Sequence, residues 1–135
     1  MTQEQKDLLL KDLCGILPYG VILNCCEIVS EPLTRITYKG LINDDYDIDE
    51  VKPYLFPLSS ITDEQKYDFY CRFIENDCYF NDFKEFYLDN NMWHKMLTSV
   101  DDCDGVVDWF NKNHFDYRGL IPMRLADDAT GLNIY

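Results

Sequence analysis

The chain is poor in the parts from which most small binding and catalytic proteins are assembled. Cationic side chains are few: 12 Lys and Arg stand against 25 Asp and Glu, a formal net charge of −13. Affinity for nucleic acid rests largely on neutralising phosphates with Lys and Arg, so direct nucleic-acid binding is not expected. No apolar run approaches the ~20 residues of a membrane-spanning helix, and the start is not a charged-then-apolar leader. The chain is therefore expected to be soluble, off the membrane and cytoplasmic. Histidine is scarce, with only His94 and His114. No CxxC, CxxH or HxxxH spacing accompanies them, and structural zinc sites usually bring such local pairs. GxSxG, a glycine-rich phosphate loop and HExxH are all missing. No catalytic residue, metal or cofactor is assigned from the sequence.

What is present argues for a packed body. At 135 residues, 47% hydrophobic and 15% aromatic, the chain fits a single domain over 1–135 with a core of its own. Cys14, Cys25, Cys26, Cys71, Cys78 and Cys103 read as reduced thiols behaving as small hydrophobes, because a disulfide framework is foreign to a reducing compartment.

Taken in order, the pattern predicts an α+β fold. Thr2 to about Cys14 is an amphipathic helix with Thr2 and Gln5 as a capping box and Leu8, Leu9, Leu10 and Leu13 on its apolar face. Val21–Val29, Leu33–Tyr38 and Tyr46–Ile48 read as strands of a small antiparallel β-meander, with Gly40 as a break. Val51–Ser60 carries Pro53 and Pro57, which argue against a regular central strand and for a Pro-rich strap tied to the surface. Residues 1–60 thus form the helix, meander and strap, and residues 61–135 a mainly helical half. There Thr62 and Gln65 repeat the capping box, and Phe69, Tyr70, Phe73 and Ile74 make a wide buried stripe. A third helical pattern includes Phe83, Phe86, Tyr87, Trp93 and Met96, with a polar pause at Asp89-Asn90-Asn91. The tail is expected to add an edge strand over Leu120–Leu125 and to fray after Ala126.

The stretch from Asp108 to Pro122 organises this half. Val106, Trp109 and Phe110 share one helical face. Asn113 and His114 suit a last turn closed by a left-handed residue, and Phe115 and Leu120-Ile121 resume burial after a polar turn at Asp116–Gly119. Trp109 to Ile121 resembles a signature of small uncharacterised proteins of phages and mobile elements of gut bacteria. Leu17-Pro18-Tyr19-Gly20-Val21 and Glu50 to Ser60 are similar to further patches of the same group, in the same order along the chain. Arg124 stands where that group carries a glycine. The resemblance implies a phage or mobile-element origin and brings no catalytic residue with it.

Two clusters remain as chemistry. Asp102-Cys103-Asp104-Gly105 invites a calcium reading, but with Gly105 as sixth loop residue the ends would be Val100 and Asn111, where an EF-hand needs carboxylates; helix capping explains these acids. Asp44, Asp45, Asp47, Asp49 and Glu50 form the densest acidic cluster and are the candidate partner-binding residues. An acidic surface can mimic phosphates and occupy a basic groove. The expectation is a non-catalytic accessory protein acting by protein–protein interaction. In its sharper form it is an acidic inhibitor of a basic nucleic-acid-binding host or defence protein. The alternatives are a self-associating virion or assembly component and a small hydrolase or metal enzyme.

Overall fold

Two capping boxes open the two longest helices. In α1 (Gln3–Ile16) the Thr2 hydroxyl accepts the Gln5 N–H while the Gln5 side chain accepts the Thr2 N–H. Thr62 and Gln65 do the same for α3 (Asp63–Phe73). Each box satisfies N–H groups that have no partner inside the helix. The structure, a computed structural model, describes residues 1–25, 29–43, 45–74, 79–99 and 105–135. The fold is α+β, and the chain divides into two units, Met1–Leu58 with Asn111–Tyr135 and Ser59–Phe110.

The first unit is built on a sheet of β1 (Ile22–Cys25), β2 (Val29–Pro32), β3 (Val51–Leu55) and β4 (Asp127–Asp128), in the order β2-β1-β3-β4. β1 pairs antiparallel with both β2 and β3, and the short β4 runs parallel to β3. From α1, Leu9, Leu13 and Ile16 join Val21, Leu23, Leu33, Leu41, Ile48 and Val51 in one aliphatic core. Full burial of such side chains contributes about 1.5–3 kcal/mol each.

Five segments depart from the sequence pattern. Val21–Val29 is not one strand, because Val29 begins β2 and pairs antiparallel with Cys25, the last residue of β1. Leu33–Tyr38 is not a strand, because Thr34 caps a helix α2 (Arg35–Ile42) by accepting the Thr37 N–H. Tyr38 and Leu41, three apart, turn toward the core. Gly40 sits inside this helix rather than ending it; a Cβ there would lie 2.2 Å from Cδ2 of Tyr46. Tyr46–Ile48 is not a strand either. Its last residue starts a 3-10 turn, Ile48–Glu50, whose cap is the Asp47 carboxylate accepting the Asp49 N–H.

The first half of the Pro-rich strap is in fact β3, inside the sheet, with Pro53 buried, while Leu58–Ser60 forms a 3-10 turn. Backbone polar groups of successive strand residues point to opposite sides. The Tyr54 C=O turns toward β1, where the Tyr135 hydroxyl donates to it, and the Leu55 C=O turns toward β4, where it accepts the Ala129 N–H. Pro53 shares the side of Leu55, so its missing donor faces β4, and β4 is registered only with Tyr54 and Leu55. The absent N–H falls where that ladder has ended, and proline is tolerated. The tail also differs. Leu120–Arg124 forms turns, while Asp127–Asp128 supplies the added strand and Ala126 and Ala129 are buried. The chain past Ala126 is docked rather than frayed.

The second unit packs rings. It holds α3, then α4 (Phe80–Phe83) running into a π-helical turn Lys84–Asp89, then α5 (Trp93–Ser99) and the first residues of α6 (Val106–Lys112). The polar pause is a true break. Asn91 adopts φ 56°, which asparagine tolerates better than most residues. Ring centroids of Phe73, Trp93, Trp109 and Phe110 lie 4.8, 5.6, 5.0 and 5.9 Å from that of Phe69. Phe83 packs against Tyr67, Tyr70 and Tyr87. Such pairs add about 0.5–1.5 kcal/mol each beyond area burial. The Trp109 indole finds its acceptor in Asp68 at 3.0 Å, which also receives Arg72.

Candidate functional site

The acidic cluster lies on a bend and a 3-10 turn, not on a strand. Asp45, Asp47, Asp49 and Glu50 are exposed, and Asp44 lies outside the described residues. Tyr46 clamps this loop to α2. The N–H groups of Asp45 and Tyr46 both donate to the Gly40 C=O, and the Tyr46 ring covers the face that glycine leaves open. Some of the charge is used locally. Asp47 caps the turn, and Asp49 Oδ2 sits 3.3 Å from Lys6 Nζ, an exposed pair worth about 0–1 kcal/mol. Beside the loop is an open groove of about 490 Å³ lined by Gln3, Lys6 and Asp47 as well as Leu10, Leu41, Ile42, Tyr46 and Ile48. Carboxylates fixed next to a groove with polar and apolar lining can receive Lys or Arg side chains together with an apolar neighbour.

A second constellation forms where the chain returns after α6. His114 closes that helix with φ 59°, its N–H donating to the Asn111 C=O. Phe56, just past β3, donates to the His114 C=O and accepts the Asp116 N–H, tying the return to the sheet. The buried Asp116 carboxylate accepts the N–H groups of Leu120 and Ile121, both at 2.8 Å. Asp12 occupies the buried stripe of α1 beside Leu9, Leu13 and Ile16, where the Arg118 guanidinium meets it. Burial pushes the Asp12 carboxyl above its ordinary value, against the opposing pull of Arg118. Asn111, only 6% exposed, has a side-chain Oδ1 with no hydrogen-bond partner. These residues line a small pocket with about 20 Å³ of room, space for one water-sized group. A substrate pocket is more than tenfold larger.

Next to it, the His114 ring stacks on Tyr135 with centroids 3.8 Å apart. Burial lowers the His114 pKa and leaves its Nδ1 without a partner. The Tyr135 hydroxyl accepts the Ile22 N–H at 2.9 Å and donates to the Tyr54 C=O at 2.7 Å. It stands as a rung between two residues that the β1–β3 register sets opposite one another. Burial pushes the Tyr135 pKa up to about 12, with the Ile22 N–H pulling the other way.

The remaining candidates offer less. Burial, then Glu31, pushes the Cys25 thiol up, away from the thiolate that nucleophilic chemistry needs. His94 is exposed on α5. The caps at Asp101–Asp104 and the residues Cys26, Cys78 and Cys103 lie outside the described residues. Among the described residues, no group of three or more His, Cys, Asp or Glu is placed to hold a metal, and no helix is long and apolar enough to cross a membrane. Sequence reasoning missed Asp12, Asn111 and Arg118 as a site. The one legible signal was Asp12, an acid standing three residues after Leu9 and four before Ile16 on an otherwise apolar stripe. No protein family, curated protein or solved structure matches the chain.

Proposed function

We propose that the chain is a non-catalytic accessory protein of phage or mobile-element origin that acts in the host cytoplasm by binding a basic protein partner. In its sharper form it is an inhibitor that covers the phosphate-binding groove of a host nucleic-acid-handling or defence protein. The observation that carries this reading is the exposed acidic loop held on α2 by Tyr46 and Gly40, alongside a groove of mixed polar and apolar lining. A preset array loses little conformational freedom on binding. The −13 charge would speed encounter with a positive surface. The test is capture of partners from host lysate by the intact chain and by a variant with Asp44, Asp45, Asp47, Asp49 and Glu50 changed to Asn or Gln. Capture by the intact chain is expected to fall with the substitutions and with added salt, since surface charge contacts are screened. Yield indifferent to both retires the reading.

The assembly alternative has one observation in its favour: α2 leaves Ile36 79% and Ile42 52% exposed. Sizing at several concentrations separates the two. A salt-insensitive oligomer favours assembly, and a monomer favours the basic partner.

A further inference from the structure

The pocket at the C-terminal end of α1 is unfinished as a hydrogen-bonding site. Its buried polar groups are mostly acceptors. Asp116 is already occupied by two backbone N–H groups, and Asp12 is met by Arg118. Asn111 Oδ1 is buried with nothing donating to it. A buried acceptor without a donor is costly, and native structures seldom leave one so. Two carboxylates and one guanidinium line the pocket, so the lining carries an excess negative charge. What would complete the site is a donor, preferably a cationic one.

Size narrows the class. The room admits one water-sized group, which a primary ammonium matches and which a guanidinium, a ring or a phosphate exceeds. Anions are disfavoured by Asp12 and Asp116 as well. Ile16, Leu55 and Phe115 also line the pocket, but the room takes the ammonium end alone, so the methylene stem has to leave through the open side of the pocket, as amphipathic stems do when their charged end is held.

We infer that this pocket binds the ammonium end of a primary alkylamine, with Asn111 Oδ1 and the Asp12 carboxylate as its acceptors. The amine arrives either free, as a polyamine, or as a lysine side chain of a protein partner. The lysine source rests on the basic-partner reading given above; the site itself does not.

The experiment titrates the full chain with n-butylammonium chloride and follows amide chemical shifts, including the Asn111 side-chain amide. The expected result is saturable change confined to residues around the pocket. N,N,N-Trimethylbutylammonium, which keeps the charge but cannot donate, and n-butanol, which lacks the charge, are expected to produce none. Asn111→Ala and Asp12→Asn are each expected to weaken butylammonium about tenfold, the loss of one charge-assisted hydrogen bond. Should either variant fail to fold, the comparison of the three probes on the unaltered chain decides the matter alone. Spermidine binding more tightly than Nα-acetyl-lysine amide assigns the free source, and the reverse order assigns the partner's lysine. Absence of saturation, or an equal response to the trimethylated probe, overturns the proposal and leaves a resident water only. Because no partner enters this titration, its outcome is independent of the lysate capture.

Discussion

The two units bury their surfaces with different side chains. The first sets an aliphatic set, Leu9, Leu13, Ile16, Val21, Leu23, Leu33, Leu41, Ile48 and Val51, between helices and a sheet. The second gathers rings, and Phe69 alone touches four of them. In the first, burial is spread over many residues of similar size, most of them on a strand or a helix stripe. In the second, short helices around a π-helical turn lean on a few large side chains. Stability concentrated in few residues is more exposed to single truncations, and the comparison can be broken on that point.

Phe69→Ala should have the largest effect, a loss of about 4 kcal/mol, with Leu23→Ala lower at about 3 kcal/mol. Denaturant midpoints measure both; equal losses would erase the contrast. Asp116→Ala comes next, at about 2 kcal/mol, because two backbone N–H groups lose their acceptor. Faster amide exchange at Leu120 and Ile121 is its local signature, and unchanged protection there would show that the carboxylate does not hold the turn.

A smaller effect is expected from pH, and it addresses the first unit, which contains both Asp12 and His114. The folded-state pKa of His114 is lowered, so the unfolded chain takes up the proton first on acidification. Its contribution is fully present above the ordinary value near 6.5 and declines as pH falls below it. For Asp12 the shift is upward from 3.8, so the folded chain protonates first. The penalty of its charge is relieved as pH falls through the window above 3.8. Stability measured against pH should dip below about 6.5 and then lose part of that slope. His114→Asn, which keeps a residue tolerant of the left-handed backbone, should remove the dip, and Asp12→Asn the later relief. The smallest change is a gain. Arg124 adopts φ 61°, and Arg124→Gly should raise the thermal midpoint by the equivalent of about 0.5 kcal/mol. A fall would mean that the Arg124 side chain contributes more than its backbone strain costs.

Much of the fold was legible where the signal is local. Thr2 with Gln5 and Thr62 with Gln65 announce helices by spacing alone, and the ring stripe of α3 follows from its period. His114 as a left-handed helix end was readable from Asn113-His114 and the turn that follows. Two of the errors share a cause: at Gly40 and Pro53 local chemistry gave way to neighbours in space, whereas the caps at Thr34 and Asp47 were local signals left unread. Gly40 looks like a break until a ring from six residues on fills the place of its side chain. Pro53 argues against a central strand until one sees that its missing donor points past the end of β4. The pocket was the least legible feature. Asp12 and Arg118 are 106 residues apart, and no window of sequence holds both. Only the acid on an apolar stripe hinted that something charged waits opposite.

The seat of the acidic loop at Gly40 separates two properties that surface mutagenesis normally changes together. A methyl group added at that one position would dislodge Tyr46 and reorient the carboxylates while every charge on the protein stayed in place. Shape and electrostatics at this face can therefore be varied one at a time, from a helix residue with no side chain of its own.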